Sequence, residues 1–309
     1  DQYRSQGRGG KGVSGAEFKE GDFLWNLFVA STHDHLLFFT DKGRVYWRKV
    51  YELPSYGRTA KGRALANVVE VQETERITAI LRVESFDDRF LITATRNGLI
   101  KKTALEQYSR PRSGGIIAVG LEDGDELVGV NLCRAGQHIV LGTKNGMSIR
   151  FEESDVRAMG RSAVGVWGIR LDDGDAVCDM VVIEGSQTLL TVCENGYGKR
   201  TSIDEYRQQS RGGKGIIDIR TSERNGQVVN LLAVNEDDEV MMITKDGQIV
   251  RTKVSGISVI GRNTQGVRCI GLNAGDKLVS VARIPNEEPA APADDGAAPT
   301  AGGPAPAKE

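Results

Sequence analysis

Apolar residues along this chain come in short runs, and five of the runs follow one plan. They are LLFFTDKGRVYWRK at 36–49, LITATRNGLIKK at 91–102, IVLGTKNGMSIR at 139–150, LLTVCENGYGKR at 189–200 and MMITKDGQIVR at 241–251. Each is an apolar stretch, a turn centred on glycine, and a second stretch ending on a basic residue. Runs this short, rich in β-branched and aromatic residues and bounded by glycine, predict strands rather than helices. The turn glycines are Gly43, Gly98, Gly146, Gly196 and Gly247, and in four turns an Asn or Asp precedes the glycine. That pair marks a tight hairpin, which needs the positive φ that glycine and asparagine tolerate.

A second glycine follows each hairpin by 17 to 19 residues, at Gly62, Gly115, Gly165, Gly215 and Gly266, and Gly12 is a sixth copy in the same phase. Most copies then show an acidic turn ahead of another strand, as in KEGDFLWN, LEDGDELVGV, LDDGDAVCDM and LNAGDKLVSV. The period is about 50 residues, and each unit reads as strand, hairpin, strand, basic loop, strand, acidic turn, strand. Four short strands repeated in this way predict an all-β, propeller-like disc of six four-stranded blades over residues 1–285. Gly12 has no hairpin before it, so the chain reads as entering partway through a unit of a longer polypeptide.

The formal net charge is only -2. Residues 286–309 hold five of the eight prolines and five acids against one lysine, and predict a disordered acidic tail. The rest sorts its charge by phase of the repeat. Windows from three residues before each hairpin glycine to twenty after it, together with residues 1–12, hold 28 basic and 11 acidic residues; the remainder up to residue 285 holds 11 basic and 26 acidic. Equivalent positions of successive blades fall at equivalent radii, so this sorting predicts a continuous positive rim, which suits a long polyanion. Four residues before the loop glycine stand Arg8, Arg58, Arg161, Arg211 and Arg262, with Arg110 and Arg112 flanking that place in the remaining copy. Four residues after the hairpin glycine stand Lys102, Arg150, Arg200 and Arg251, with Arg48 displaced by one. Two rings of cations result, and with glycine-rich backbone N–H groups they point to phosphate contacts and to recognition of DNA backbone and bendability rather than of bases.

Other chemistries find little purchase. Gln6-Gly7-Arg8-Gly9-Gly10-Lys11-Gly12 recurs nearly intact at Gln209 to Gly215, but neither copy has the spacing of a nucleotide P-loop, and the IIDI after the second reads as a strand. His33-Asp34-His35 has no third ligand nearby and reads as an ordinary loop, and His138 stands alone. Tyr3 shares its phase with Leu53, Val156, Tyr206 and Ile257, which makes it a core position rather than a nucleophile. Cys133, Cys178, Cys193 and Cys269 lie far apart among apolar neighbours and read as reduced, buried thiols. No apolar run reaches the ~20 residues of a membrane span and no signal peptide opens the chain, so a cytoplasmic protein is expected. No catalysis and no metal site are expected in this segment; a protein-docking propeller is the competing class.

The box at Gln6 to Gly12, the six units and the acidic tail together resemble the C-terminal domain of the DNA gyrase A protein. That family carries Gln-Arg-Arg-Gly-Gly-Lys/Arg-Gly in its first blade, and its domain is a six-bladed β-pinwheel that wraps DNA around its outer rim. The box maps onto Gln6, Arg8, Gly9, Gly10, Lys11 and Gly12; Gly7 departs from the family's arginine, and Ser210 does so in the second copy, whose Arg211 and Lys214 supply box-like charge. The resemblance implies a holoenzyme of gyrase A and gyrase B (A2B2) that introduces negative supercoils using ATP and Mg, with cleavage and hydrolysis residing elsewhere. Topoisomerase IV, which usually lacks an intact box, is the related alternative.

Overall fold

The computed structural model describes residues 5–6, 13–14, 30–55 and 65–284. Two short strands open it, β1 (Ser5–Gln6) and β2 (Val13–Ser14). The first hairpin is β3 (His35–Thr40) and β4 (Arg44–Lys49), followed by β5 (Ile77–Val83). The second is β6 (Phe90–Thr95) and β7 (Leu99–Ala104), followed by β8 (Ile116–Ile117) and β9 (Leu127–Cys133). The third is β10 (His138–Thr143) and β11 (Met147–Glu152), followed by β12 (Val166–Trp167) and β13 (Val177–Ile183). The fourth is β14 (Thr188–Cys193) and β15 (Tyr197–Ser202), followed by β16 (Ile216–Ile217) and β17 (Val228–Val234). The fifth is β18 (Glu239–Thr244) and β19 (Gln248–Lys253), followed by β20 (Val267–Arg268) and β21 (Leu278–Ile284).

Each hairpin anchors one sheet, giving the orders β5-β3-β4-β8, β9-β6-β7-β12, β13-β10-β11-β16, β17-β14-β15-β20 and β21-β18-β19-β1, with β2 also on β19. Five sheets are therefore described among these residues, not the expected six, each built on one of the five hairpins that the turn glycines mark. The expectation also missed an exchange. The two-residue strand after each basic loop leaves its own unit and pairs with the preceding hairpin, so β8 joins β4, β12 joins β7, β16 joins β11 and β20 joins β15. By the same rule β2 joins β19, tying the start of the chain to its last hairpin. β1 runs parallel to β19 with Ser5 opposite Arg251, where other units show single parallel bridges, Lys102 to Ala158, Arg150 to Gln208 and Arg200 to Val259.

Local chemistry explains the repeated marks. Thr40, Thr95, Thr143 and Thr244 each sit at a register shift and turn the hydroxyl back to accept the N–H four residues on, at 3.1 to 3.3 Å. The acidic turn closes the same hairpin from outside: Asp125, Asp175 and Asp276 accept the N–H of Asn97, Asn145 and Asp246 at 3.0, 3.0 and 3.1 Å. Those acids are structural, which is why they recur in phase. The core lies between sheets, with Leu37 and Phe39 of one meeting Leu91 and Leu127 of the next, and Ile92 and Ile100 meeting Ile139 and Met180. Val156, Tyr206 and Ile257 are buried as their shared phase predicted, while Leu53 is half-buried and Tyr3 lies outside the described residues.

The strands β5, β9, β13, β17 and β21 pack on one another in succession, so they form the inner end of the sheets. A ladder links them: Asn131 donates to the Met180 carbonyl at 2.7 Å, Leu231 N–H donates to Asp179 at 2.9 Å, and Val281 N–H donates to Asn230 at 2.9 Å. Burial pushes the Asp179 carboxyl up to about 6 even though Leu231, Asn230 and Met180 all donate to it. The exchanged strands occupy the opposite end of each sheet, which is the outer edge. Asp34 of the His-Asp-His triplet is buried and accepts from Ser31 N–H at 2.7 Å and from Arg82 at 2.8 Å. Cys133, Cys193 and Cys269 are buried and Cys178 is half-buried.

Candidate nucleic-acid interface

At the outer edge, the hairpin glycine of one unit and the loop glycine of the next meet in one sheet and are fixed by close approach. A Cβ on the hairpin residue Gly146 would lie 2.1 Å from the Ile219 carbonyl oxygen, and one on the loop residue Gly215 would lie 2.2 Å from that of Ser148; both residues have positive φ. The Gly146 carbonyl accepts from the N–H groups of Asp218 and Ile219 at 2.8 and 3.2 Å, locking the exchanged segment against the hairpin. Equivalent pairs of bonds reach Gly43, Gly98 and Gly196. The basic loop is thus held on the strand edge by backbone contacts, and its side chains are free to face outward.

The ring before the loop glycine behaves as one device. Arg161 donates to the Ile117 carbonyl at 3.1 Å, Arg211 to that of Trp167 at 3.2 Å, and Arg262 to that of Ile217 at 2.7 Å. Each arginine reaches across to the second residue of the exchanged strand on the neighbouring sheet. One or two of its five donors hold it there, and the charge stays at the exposed edge. Arg112 is exposed and, with Arg44, Ile117 and Arg161, lines a shallow cleft of about 450 Å³. Lys214 is exposed and meets Asp172 at 3.2 Å, a surface pair of small strength. Arg8, Gly9, Gly10, Lys11, Gly12 and Arg58 lie outside the described residues, and Gln6 is described only as part of β1.

The second ring is placed differently from its expectation. Lys102 is buried, pairs with Glu153 at 2.5 Å and donates to the Glu153 carbonyl at 3.1 Å. Arg150 donates to the carbonyls of Ile203 and Tyr206 at 2.9 and 3.2 Å. Arg200 is buried, donates to the Ile257 carbonyl at 2.7 Å and pairs with Glu236 at 2.5 Å. Arg251 pairs with Glu239, and Arg48 donates to the carbonyls of Val68 and Trp47 at 3.0 and 3.2 Å. Lys102, Arg150 and Arg200 each reach the short 3-10 turn that follows the next hairpin, at Glu153–Asp155, Ile203–Glu205 and Val254–Gly256 or its flank. Lys102, Arg150 and Arg200 thus fasten one blade to the next, whereas Arg251 pairs with Glu239 across its own hairpin and Arg48 is held within its own unit. Lys102 and Arg200 are withdrawn from solvent, while Arg48, Arg150 and Arg251 are half-buried, as Arg161, Arg211 and Arg262 are, but are anchored away from the exchanged strands.

Sequence reasoning passed over residues that the edge exposes. Arg157 and Arg207, eight residues before the loop glycine, and Arg170 and Arg220, five after it, are exposed. So are Ile117, Trp167 and Ile217, at 47, 47 and 40%. Their signal was available in Gly-Ile-Ile, Gly-Val-Trp and Gly-Ile-Ile, a two-residue apolar step after each loop glycine. Arg268 takes that place on β20 and donates to the Tyr197 hydroxyl at 3.1 Å, and Arg224 lies over the Tyr197 ring; both cations lower the Tyr197 pKa. Among the described residues, no group of His, Cys, Asp or Glu could hold a metal ion, and no helix is long and apolar enough to cross a membrane.

Small four-stranded sheets joined in sequence by exchanged outer strands, with arginines recurring along the outer edge, define a β-propeller with a cationic rim. The family model described as the DNA gyrase C-terminal domain, β-propeller, matches residues 1–31, 34–84, 89–134, 137–184, 187–235 and 238–285, and the chain belongs to that family. It is 49% identical to the DNA gyrase A protein of Salmonella typhimurium over 294 residues, 95% of this chain and 33% of the relative. It is 53% identical to that of Halalkalibacterium halodurans over 287 residues, 93% of this chain and 34% of the relative. The chain thus spans about a third of the length of the curated relatives it matches. A solved DNA gyrase A C-terminal domain superposes with a TM-score of 0.83 at 27% identity, covering 91% of this chain and 93% of that one. The C-terminal domain of a DNA topoisomerase IV superposes with a TM-score of 0.71 at 26% identity, covering 82 and 80%.

Proposed function

We propose that this chain binds double-stranded DNA without sequence preference and wraps it around the outer edge of a six-bladed pinwheel. The exchange rule supports the count of six. A strand that follows one hairpin joins the hairpin before it, so β2, lying ahead of the first hairpin and joined to the fifth, belongs to a sixth unit between them. The six segments matched by the family model agree with that count.

The observation that carries the DNA reading is the periodic row of Arg161, Arg211 and Arg262, each tethered to the neighbouring exchanged strand with charge left at the surface. Arg112 and Lys214 extend it, and Arg8, Lys11 and Arg58 belong to the same basic loops of the repeat. Lys102, Arg150 and Arg200 serve by holding blades together, and Arg251 and Arg48 by bracing their own units. In the whole protein this segment supports ATP-dependent negative supercoiling with the rest of gyrase A and gyrase B in the bacterial cytoplasm; ATP and Mg act in other parts of that assembly, and this segment performs no catalysis of its own.

The test compares wrapping with binding. Replacing Arg8, Gly9, Gly10 and Lys11 by alanine should abolish the linking-number shift of nicked plasmid religated on the protein, while affinity for a short linear duplex largely survives on the other arginines. Arg211→Ala with Lys214→Ala reports whether the second copy is an equal clamp. Equal loss in both assays from the first variant would reduce the box to an ordinary binding loop. Affinity should fall by roughly a thousandfold between about 50 and 200 mM salt if six phosphates are engaged.

A further inference from the structure

We propose that Ile117, Trp167 and Ile217 form a row of apolar contacts against the deoxyribose walls of inward-facing minor grooves, setting the path of the wrapped duplex where the arginines supply affinity. The inference rests on the DNA-wrapping reading above. Six large hydrophobic side chains are strongly exposed among the described residues, and three of them occupy this one position of the repeat. A scattered exposed leucine or isoleucine needs no explanation, but recurrence at one phase of the outer edge does.

Charge identifies the occupant. The carbonyl of each of the three residues accepts from a rim arginine, Arg161, Arg211 or Arg262, so an apolar side chain and a guanidinium are fixed side by side on three successive blades. Ile117 shares its cleft with Arg44, Arg112 and Arg161. A docking protein would have to offer anions in the same repeat. Duplex DNA offers phosphates spaced along sugars whose C–H faces are apolar, and about half or more of protein–DNA hydrogen bonds go to phosphate and sugar. Bending toward the protein narrows each minor groove that faces it and enhances the negative potential there, which favours arginine beside it. Insertion between base steps is the wrong mechanism here, because inserted wedges kink DNA toward the major groove and away from the protein. Side-on contact with the sugars opposes no such bend, and it forms only when the duplex is pressed against successive strand edges. A straight short duplex meets one blade and gains little from it.

The experiment uses the full chain with Ile117→Ala, Trp167→Ala and Ile217→Ala combined, and separately with all three changed to lysine. Thermal melts establish that both fold. The alanine variant is expected to keep short-duplex affinity within about threefold and to keep the salt slope, since no phosphate-binding cation is removed. Its linking-number shift should fall by at least half. The lysine variant should bind the short duplex more tightly yet lose the same share of wrapping. Wrapping by the lysine variant equal to or above that of the unaltered chain would overturn the proposal, because cations alone would then suffice. Wild-type wrapping by the alanine variant would overturn it as well, and if that variant failed instead to assemble with the remainder of gyrase, the row would belong to a protein partner. An unaltered chain that shifts no linking number would sink the wrapping reading and this inference together, whereas normal wrapping by the unaltered chain isolates the apolar row.

Discussion

Replacing Lys102 by methionine separates the two rings of cations. Lys102 and Glu153 are 7 and 5% exposed, and the ammonium serves both the Glu153 carboxylate and its carbonyl. Methionine keeps the stem of the side chain and leaves a buried carboxylate whose Oε1 still accepts from the Gly136 N–H at 3.2 Å, while Oε2 loses its ammonium. Breaking a buried ion pair from one side costs about 3–5 kcal/mol. In a chain of this size that is a drop in Tm on the order of 10 °C. Removing both charges with Lys102→Met and Glu153→Met should recover most of the loss, since an apolar pair of similar volume replaces a desolvated one. Urea denaturation of the single and double variants gives the magnitude. DNA titration against salt gives the other half: Lys102→Met should leave the slope unchanged, whereas Arg262→Ala should lower it by about 0.9, the share of one phosphate contact, and change stability by under ~1 kcal/mol. If Lys102→Met stayed within about 1 kcal/mol of the parent and lost a unit of salt slope, the assignment of this ring to blade fastening would be wrong.

Two further outcomes are expected. Gly215→Ala places a methyl against the Ser148 carbonyl in a left-handed backbone and should cost at least ~2 kcal/mol, while Gly124→Ala, equally left-handed but facing open space, should cost about 1–2; equal losses by urea denaturation would remove close approach as the reason for the loop glycine. Asp179 has a folded pKa of about 6, above its unfolded value, so the folded state holds the extra proton between about pH 4 and 6. Its contribution is therefore most favourable at low pH and is lost as pH rises through about 6, by up to about 3 kcal/mol. Asp179→Asn keeps an acceptor for the Leu231 N–H, and its stability relative to the parent should climb across that window; a constant difference from about pH 4.5 to 7.5 would refute the shift.

Hairpins and loops were legible in the sequence because one residue type had to occupy each special backbone position. The Gly98 and Gly215 phases follow from φ and from carbonyl oxygens at contact distance, so the repeat could be counted from glycine alone. The exposed ring was legible because Arg161, Arg211 and Arg262 share one phase. Radius was not. Lys102 and Arg200 have as regular a spacing as the rim arginines, yet a 3-10 turn from the following unit covers them, and only the acids Glu153 and Glu236 hinted at partners. The exchanged strands escaped notice because two residues give no period, and membership of a neighbouring sheet is a long-range fact. For the same reason the apolar step at Ile117, Trp167 and Ile217 could be read from the sequence as a recurrence, but its exposure only from the sheet order that puts it on the edge.

The two box copies raise the question of why Gly-Gly falls in some loops and not others, and the residue beneath each loop answers it. Three residues after the hairpin glycine, the strand offers Lys101 beneath the loop of Gly165, Lys199 near that of Gly266, and Ile149 beneath that of Gly215. Lys101 donates to the carbonyls of Ala118 and Arg161 at 2.6 Å and of Gly160 at 3.4 Å, tying the loop down by an ammonium that burial and the Arg161 charge lower to about 7. Lys199 instead meets Asp218 at 3.0 Å and Thr201, whose hydroxyl donates to the Ile260 carbonyl at 2.8 Å. Over Ile149 no donor is available, so the loop backbone descends: Gly212 N–H donates to the Gly168 carbonyl at 2.7 Å, and Gly213 packs over the Ile149 side chain, where an added Cβ would meet it at 3.6 Å. On β19, which carries the strand just after the first copy, the equivalent residue is Val250, again apolar. Gly-Gly and the buried lysine are thus alternative ways to seat the same loop, and exchanging them tests it. Lys101→Ile alone strands the Arg161 carbonyl, leaves that of Ala118 with the Tyr108 hydroxyl as its donor, and should cost about 1–3 kcal/mol. Ser162→Gly with Ala163→Gly alone should cost about 1 kcal/mol through added freedom of the unfolded chain. All three changes together rebuild the box geometry, and the total should come out at least ~1 kcal/mol better than the sum of the two parts. Additive losses in urea denaturation would mean that the lysine and the glycine pair do not substitute for one another.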